Sequence, residues 1–455
     1  MQYSHMRTLF CFALLLMFCL LCACEPLIGR KSDQLAREPS VALALPASGP
    51  YATFASRILQ GARLAVQELE RNGIKVRLAL VDTQSKDWTS RLTALPESFK
   101  IVGGPLDLAS YNTLKSSGLL AKYRVFAFLN NLSGNDEGRL AWRFFPSPAD
   151  QVDALLNFAT NQLGIRSFGV FAPTDTYSTK MVALFEDAVR KRNLSLRKAL
   201  YTGQANLAEQ VKPLLNPISQ GEGSTATPVP QTAFEAVFLP ASWRALDGLL
   251  SSFMYHGEDR LVLLGTMLWE QSLQGKRLAQ PSRYELAVFP GAWNAQARVS
   301  ALAGQNPDFW LALGYDFVKF AVNLGNVQQL SPLELKDRAN RAASILRIVA
   351  PMSWDGQGHA HQKLVIYRAS AQGVAPMDVQ LFNQMRAQRK QNAALRMQSS
   401  NAEEETKLPP EPEEPKPEVT GEVQPVSAPA QLPSQSPNTV PQSSHKLRLP
   451  TRSNP

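Results

Sequence analysis

The chain has 455 residues, a formal net charge of +9 at pH 7 and only four cysteines. Its length exceeds what one small core requires, so we expect two domains and additional segments. The positive charge suits an acidic partner surface. Because no basic run is interleaved with aromatic residues, the sequence does not indicate a nucleic-acid-binding protein.

The start of the chain has the pattern of an export signal. All four cysteines lie in the first 24 residues, within the apolar run LFCFALLLMFCLLCAC, and MQYSHMR precedes that run. A short basic start, an apolar run and a small residue are typical of a secretory signal peptide, which we assign to residues 1–23. The alternative is a retained anchor helix, but the run is short for a span of about 20 residues.

The signal segment ends in Leu21-Cys22-Ala23-Cys24, which resembles the lipobox of bacterial lipoproteins. The resemblance implies cleavage before Cys24 and a membrane anchor through acyl chains on that cysteine. The alternative is an ordinary cleaved signal peptide whose cysteines serve only as apolar residues. That alternative does not explain why the rest of the chain contains no cysteine. Glu25 stands where aspartate is the familiar inner-membrane retention signal, so we expect the periplasmic face of the outer membrane.

Two segments outside the main pattern predict little folded structure. We interpret residues 24–40 as a tether. Residues 401–455 contain twelve prolines and no aromatic residue. Such a composition cannot bury enough apolar surface to fold, so we expect a disordered tail. Residues 372–400 have a helical pattern and form a predicted extension, and the polar stretch 216–231 predicts a surface loop.

Between Val41 and Ser370 the chain alternates short apolar runs with amphipathic segments. VALALP, SFGVFAP and RLVLLGT predict strands that are apolar on both faces, and TFASRILQGARLAVQELERNG predicts a helix between strands. This pattern indicates parallel sheets covered by helices. Because the pattern restarts near Ser147, we expect an α/β fold of two lobes with a cleft between them.

We divide this part of the chain between the lobes as follows. The first lobe is predicted to contain residues 41–147 and a return segment at 284–343. The second is predicted to contain residues 148–283 and a closing hairpin at 344–371. The chain would then cross several times between the lobes.

Several strings resemble the type I periplasmic binding protein fold. LPASGPYATFASRILQGARLAVQEL resembles the opening of that fold, IVGGPLDLASY its third strand and ligand loop, FAPTDTYSTKMVALFEDAV the start of its second lobe, and WDGQGHAHQKLVIYRA its closing hairpin. LLGTMLWEQ, LAVFPGAWN and LALGYDFVKFA are similar to the penicillin-binding-protein activator lipoproteins. In that group a leucine-binding-protein-like domain belongs to an outer-membrane lipoprotein that stimulates peptidoglycan synthases.

The chain departs from that group in one respect. The well-known activators carry a helical-repeat domain ahead of this domain, whereas here only the short tether stands there, and a proline-rich segment follows the domain instead. Contacts that the group makes through the extra domain therefore cannot be carried over to this chain.

Ligand-binding residues are predicted from the positions of the strands. In open α/β sheets, ligands lie beyond the carboxyl ends of the strands, at loops that begin helices and offer free backbone N–H groups to anions. Tyrosine and tryptophan add flat apolar faces with one polar handle. The candidate cleft residues are Ser48, Tyr51, Asp107, Ser110, Asn130, Asn131, Thr176, Tyr177, Ser242, Thr266 and Trp269. For each of them a helix cap or a hinge contact is the alternative.

Two of these loops argue against an amino-acid receptor. The resemblance implies small hydroxyl residues after the third and fourth strands, where receptors of this fold hold a ligand's carboxylate and ammonium groups. Here the third-strand loop reads GGPLDLAS, with an acid and leucines, and the fourth reads LNNLSGN, with amides. This difference favours a domain that contacts proteins.

No catalytic motif stands out in the sequence. His359 and His361 form a possible metal pair, but only Asp355 stands nearby as a third ligand, so we expect a solvated turn. Ser-x-x-Lys patterns begin at Ser195 and Ser443 without a Lys-Thr-Gly partner. Nucleophile-elbow, phosphate-loop and zinc-protease motifs do not occur. We expect no catalysis, metal or cofactor.

The sequence thus predicts a non-catalytic outer-membrane lipoprotein that regulates peptidoglycan synthesis. It would act by contacting a penicillin-binding protein or another envelope protein. The alternative function is a receptor that binds a small polar ligand, such as an amino acid or a peptide-like molecule, for an ABC transporter.

Overall fold

The structure is a computed structural model that describes residues 38–220, 227–297 and 299–405. The predicted signal peptide, Cys24, most of the tether and most of the tail lie outside the described residues. The chain divides into two units, residues 1–404 and 405–455, and the elements described below belong to the first unit apart from the final residue of the last helix.

The first lobe is built on a five-stranded parallel sheet with strand order β2-β1-β3-β4-β5. Its strands are β1 Ser40–Leu45, β2 Arg77–Asp82, β3 Ile101–Gly103, β4 Arg124–Ala127 and β5 Ala141–Arg143. Its helices are α1 Ala52–Arg71, α2 Trp88–Ala94, α3 Leu108–Ser116 and α4 Leu119–Lys122. All six residues of β1 are buried, as expected of a central strand covered on both faces.

One predicted helix of this lobe is interrupted. The sequence suggests a single helix over Leu108–Tyr123, but α3 and α4 are separate. Gly118 lies between them in the left-handed region, with φ 71°. A residue in that conformation cannot continue a right-handed helix, so the chain turns there.

The second lobe is built on a seven-stranded sheet with strand order β16-β15-β12-β11-β10-β6-β7. Its strands are β6 Ser167–Pro173, β7 Ser195–Tyr201, β10 Ala236–Phe238, β11 Val262–Leu264, β12 Ala287–Gly291, β15 Val365–Ser370 and β16 Gly373–Pro376. Its helices are α5 Pro148–Asn157, α6 Thr176–Lys191, α7 Leu207–Leu215, α8 Trp243–Tyr255 and α9 Met267–Leu273, and a π-helix at Phe158–Gln162 continues α5. Only β15 runs antiparallel to its neighbours, β12 and β16.

The predicted surface loop at 216–231 contains a small hairpin. Its strands are β8 Pro217–Gln220 and β9 Thr227–Pro230, which pair with each other in a two-stranded antiparallel sheet. The sequence pattern did not identify these strands because polar residues, glycines and prolines dominate the segment.

Two further helices return to the first lobe after β12. They are α10 Phe309–Leu324 and α11 Pro332–Ala343. Helix α10 crosses α1 at close range: a Cβ atom on Gly61 would lie 1.9 Å from the Leu311 carbonyl oxygen, and one on Gly314 would lie 1.9 Å from the Ile58 carbonyl oxygen. Glycine at both positions therefore lets the two backbones approach.

The strands and cores differ in two places from the predicted division between the lobes. Strand β12 falls in the segment 284–343 assigned to the first lobe, yet it pairs in the second lobe's sheet. Strands β13 Met352–Trp354 and β14 Ala360–Gln362 form their own hairpin, whose buried side chains share a core with β1 and α10. The apolar pattern identifies a strand but not its neighbours, and long-range packing decides the pairing.

The last described helix is α12 Val379–Glu405, which corresponds to the predicted helical extension and follows β16. Phe382 and Ala393 are buried against the second lobe. Between them, Arg389 pairs with Glu285 and Asp259. No helix among the residues that the structure describes is long and apolar enough to cross a membrane.

Candidate functional site

The third-strand loop of the first lobe is occupied by a helix cap. Asp107 precedes α3, and its Oδ1 accepts the Ser110 backbone N–H at 2.8 Å. The Ser110 hydroxyl donates to Asp107 Oδ2, also at 2.8 Å. These two predicted cleft residues therefore satisfy each other and begin a helix, which agrees with the capping alternative.

The second lobe repeats the same arrangement after β6. Asp175 accepts the Ser178 backbone N–H at 2.9 Å and the Ser178 hydroxyl at 2.8 Å. Partial burial of Asp175 tends to raise the pKa of its carboxyl group. The hydrogen bonds from these donors have the larger, opposite effect, so the pKa lies below its ordinary value. Thr176 next to it is exposed, and Tyr177 is half-buried.

Two predicted residues after β11 are fully buried. The Thr266 hydroxyl forms no well-formed hydrogen bond with any described residue, although it lies near the Tyr177 side chain. Burial raises the pKa of the Tyr177 phenol, and the neighbouring Thr266 hydroxyl partly opposes that rise. The Trp269 indole packs over Gly265 in the core of the second lobe and donates to the Ala241 carbonyl oxygen at 2.8 Å. Its position agrees with a packing role.

The remaining predicted residues are exposed. They are Ser48, Tyr51, Asn130, Asn131 and Ser242. Ser242 stands at the N-cap of α8, but its side chain makes no capping bond. None of the eleven candidates lines any of the five cavities described for this structure. The structure therefore brings together Asp107 with Ser110 and Tyr177 with Thr266, and the ligand-binding cleft remains a prediction.

A buried ionic cluster lies where the chain passes between the lobes. Arg143, at the end of β5, is 5% exposed. Its Nε donates to Glu137 at 3.1 Å and its Nη1 to Asp150 at 3.2 Å. The guanidinium also donates to the carbonyl oxygens of Phe145 and Ala360. We call this set of groups the hinge cluster.

The two carboxylates of the hinge cluster bind further backbone groups. Glu137 accepts the Ala360 N–H at 3.0 Å, and Asp150 accepts the Gln362 N–H at 3.2 Å. Asp150 also forms a capping box with Ser147 at the start of α5. The cluster thus ties three chain segments together. Sequence reasoning missed it, and the only signal was a lone arginine beside apolar residues in AWRFF.

Glu270 is a second buried charge that sequence reasoning missed. It lies on α9 and lines two cavities, of about 250 Å³ and about 200 Å³. The Trp293 indole N–H donates to its Oε1. Burial raises the pKa of Glu270 to about 7, the Trp293 bond opposes the rise, and the nearby Asp308 carboxylate adds to it. Its only signal was an acid between apolar residues in MLWEQ.

The histidine pair predicted as a solvated turn lies around Asp355. That carboxylate accepts the backbone N–H groups of Gln357 at 2.9 Å and of His359 at 3.0 Å. His361 Nε2 lies 3.4 Å from Asp355 Oδ2. Burial disfavours the carboxylate, yet these donors outweigh it and hold the pKa of Asp355 below its ordinary value. The described residues contain no group of three or more His, Cys, Asp or Glu side chains able to hold a metal ion.

Comparison with known proteins relates this architecture to a family. Residues 38–216 match a family model described as periplasmic binding protein. The match covers less than half of the chain and spans the five-stranded sheet and the first part of the second lobe. No curated protein matches the sequence.

Similar solved structures include a regulator of PBP1A and a putative ABC transporter protein. Full-length LpoA from Haemophilus influenzae has 12% identity and a TM-score of 0.54, with 75% of this chain and 59% of that chain covered. The LpoA C-domain from the same organism, described as a regulator of PBP1A, has 14% identity and a TM-score of 0.52, with 74% and 100% covered. A putative branched-chain amino acid ABC transporter protein from Rhodospirillum rubrum has 14% identity and a TM-score of 0.54, with 74% and 99% covered.

These likenesses establish the fold. The chain has the α/β fold of the type I periplasmic binding proteins, with parallel sheets flanked by helices, as predicted. It is similar both to a penicillin-binding-protein activator and to transporter-associated binding proteins, which confirms the predicted resemblance. The chain spans 59% of the full-length LpoA chain that it matches.

Proposed function

We propose that this protein is a non-catalytic, lipid-anchored envelope protein that regulates peptidoglycan synthesis by contacting a penicillin-binding protein. The observation that carries this proposal is the third-strand loop, where Asp107 and Ser110 bind each other and begin α3. A small ligand would have to displace that cap to use these groups. The match to the LpoA C-domain over its whole length supports the same assignment.

A receptor for a small polar ligand of an ABC transporter is the second candidate. It is supported by the match to the Rhodospirillum rubrum protein over 99% of that chain. Ser48, Tyr51, Asn130 and Asn131 are exposed after strands β1 and β4, where a ligand of this fold would bind.

One experiment separates the two candidates. The full chain, extracted in detergent, is immobilised and incubated with a purified bifunctional peptidoglycan synthase, and the synthase's glycan polymerisation rate is measured with and without the protein. We expect co-retention of the synthase and a change in its rate. If the synthase is neither retained nor altered in rate, the regulatory proposal is wrong.

A thermal-shift screen tests the receptor candidate in parallel. Amino acids and soluble muropeptides are added to the full chain, and a true ligand at a hundredfold excess over its dissociation constant should stabilise the protein by about 2.7 kcal/mol. We expect no compound to reach that stabilisation. A strong shift with one compound, together with a negative synthase experiment, would establish the receptor function.

The lipid anchor is tested separately. We propose that Cys24 carries the acyl chains, because it ends the lipobox-like sequence. Cys24→Ala should move the protein from the membrane fraction to the soluble fraction without changing its thermal melting temperature. Cys22→Ala is the matched control and should leave the protein in the membrane fraction. If the Cys24→Ala protein stays membrane-bound, the anchor is not a lipid on that residue.

A further inference from the structure

The largest cavity described for the molecule is an open groove of about 950 Å³ on the hinge side. Its lining residues come from α5, the π-helix, the β13–β14 hairpin, strands β15 and β16 and the start of α12. Amide and hydroxyl groups line it, including Asn157, Asn161, Gln162, Ser353 and Gln362. We call this cavity the hinge groove. It contains none of the residues predicted for the ligand-binding cleft.

The wall of the hinge groove contains an unusual backbone feature. Residues Phe158–Gln162 form a π-helix, which is rare and often occurs at functional sites. The wider turn places Asn161 and Gln162 at the groove, while the Phe158 ring is buried against Phe382, with ring centroids 6.1 Å apart. The π-helical turn therefore places two amide side chains at the groove, while the Phe158–Phe382 contact packs the same turn against α12.

A buried polar atom of a groove-lining residue has no partner. Gln362 is 5% exposed, and its Nε2 donates to the Ala350 carbonyl oxygen at 2.9 Å. That bond fixes the orientation of the amide, and Oε1 then accepts no hydrogen bond from any described residue. An unpaired buried carbonyl is unfavourable, so a hydrogen-bond donor at this oxygen would be stabilising.

The apolar part of the hinge groove belongs to both lobes. Met352 and Leu364 pack in the core that contains β1 and α10, whereas Phe158 and Ile366 pack in the core that contains β6 and α6. A molecule in the groove would therefore contact both lobes and stabilise one arrangement of them.

The charge at the groove indicates the chemistry of its occupant. Lys363 lines the groove, is exposed and forms no ion pair with a described residue, whereas Asp153 is neutralised by Arg192 at 2.9 Å. The free charge at this edge is therefore positive and suits a carboxylate on the bound molecule.

We propose that the hinge groove binds an extended polypeptide segment of a partner protein, with its backbone groups pairing with the amide side chains that line the groove and an acidic side chain facing Lys363. Amide side chains donate and accept as a peptide backbone does, and the apolar residues between them suit alternate side chains of a bound segment. Small-molecule sites usually enclose most of the ligand, whereas this groove is open. The inference holds for either candidate function.

The test selects linear dodecapeptides from a random phage-displayed library on the immobilised full chain and measures their affinities by fluorescence anisotropy. We expect selected peptides to be enriched in acidic residues. Ser353→Glu places a negative charge at an exposed position in the groove and should weaken binding of acidic peptides about tenfold or more. Ser90→Glu, at an exposed position on α2 away from the groove, is the matched control and should bind as the unaltered protein does.

Other results overturn the proposal. They are the absence of any binding peptide, equal binding by both glutamate variants, and binding of muropeptides but of no peptide. Displacement of the selected peptides by a synthetic peptide of residues 406–455 would assign the groove to the chain's own tail instead. If Ser353→Glu loses its thermal transition, Asn161→Glu replaces it, because Asn161 is also exposed and lines the groove.

Discussion

The strand-end loops and the hinge cluster use polar side chains in different ways. At the strand ends, Asp107 binds Ser110 and Asp175 binds Ser178, both pairs separated by three positions along the chain. In the hinge cluster, Arg143 binds Ala360, which is 217 positions away. Local pairs determine where helices begin, whereas long-range pairs hold separate segments together. Buried polar groups at the hinge therefore contribute to lobe arrangement as well as to stability.

The largest effect is expected at the hinge cluster. Arg143→Met removes the cation but keeps an apolar chain of similar length, and it leaves Glu137 and Asp150 buried without their charge partner. We expect the free energy of unfolding to fall by about 3–5 kcal/mol, because uncompensated buried charges are strongly unfavourable. Urea denaturation measures this loss.

The control for that variant is Arg91→Met. Arg91 forms an exposed pair with Asp87 within one turn of α2, so its loss should leave the unfolding midpoint unchanged within error. If Arg143→Met unfolds at the same urea concentration as the control, the hinge cluster does not hold the segments together and the contrast with the strand ends fails.

The second effect concerns pH and Glu270. Its pKa in the folded protein is about 7, above the ordinary value of 4.5, so the folded state binds the proton more tightly than the unfolded state. Protonated Glu270 therefore contributes fully to the stability of the folded state below about pH 4.5. This contribution is lost as the pH rises towards 7. The difference between the unfolded and folded pKa values predicts that ionisation of Glu270 lowers the free energy of unfolding by about 3 kcal/mol as the pH rises through that range.

Glu270→Gln should remove this dependence. Glutamine keeps an oxygen that can accept the Trp293 N–H but carries no charge, so the variant should be more stable than the unaltered protein at pH 8 and equal to it at about pH 4. Urea denaturation at several pH values between about 4 and 8 shows the difference in slope. Glu97→Gln, at a glutamate whose side chain is 81% exposed, is the control. An unchanged slope in Glu270→Gln would contradict the assignment.

The smallest effect is expected at the strand ends. Asp107→Ala and Asp175→Ala each remove one N-cap and should cost about 0.5–2 kcal/mol, whereas asparagine at either position should restore most of the loss. Because the two caps lie in different lobes, the losses should add in the double variant. Thermal melting measures them. A much larger loss at one cap would show that its carboxylate has a further role.

Much of the fold follows from local sequence patterns. The run VALALP predicts a buried strand and β1 is one, and PLELKDRANRAA predicts the helix that α11 forms behind its Ser331 cap. The capping alternative for Asp107 and Ser110 was also visible, because an Asp-x-x-Ser spacing lets one carboxylate bind both groups of the serine. Such predictions succeed because the interacting groups are close in sequence.

The site could be predicted less well, and the reason is physical. Trp269 follows a strand end and has the chemistry of a binding residue, yet the absence of a side chain at Gly265 lets its indole pack into the core. Likewise, nothing near Arg143 in the sequence shows that Ala360 will supply a carbonyl oxygen to it. Burial and long-range pairing are properties of the assembled lobes.

The sequence by itself determined the α/β class, the alternation of strands and helices, the restart near Ser147 and the resemblance to type I periplasmic binding proteins. These follow from apolar periodicity and local caps, which act within a few residues. The tertiary structure alone decided the place of β12 in the second sheet, the hinge cluster, the buried position of Glu270 and the hinge groove. Each of these depends on groups that are distant in sequence and that meet only when both lobes are packed.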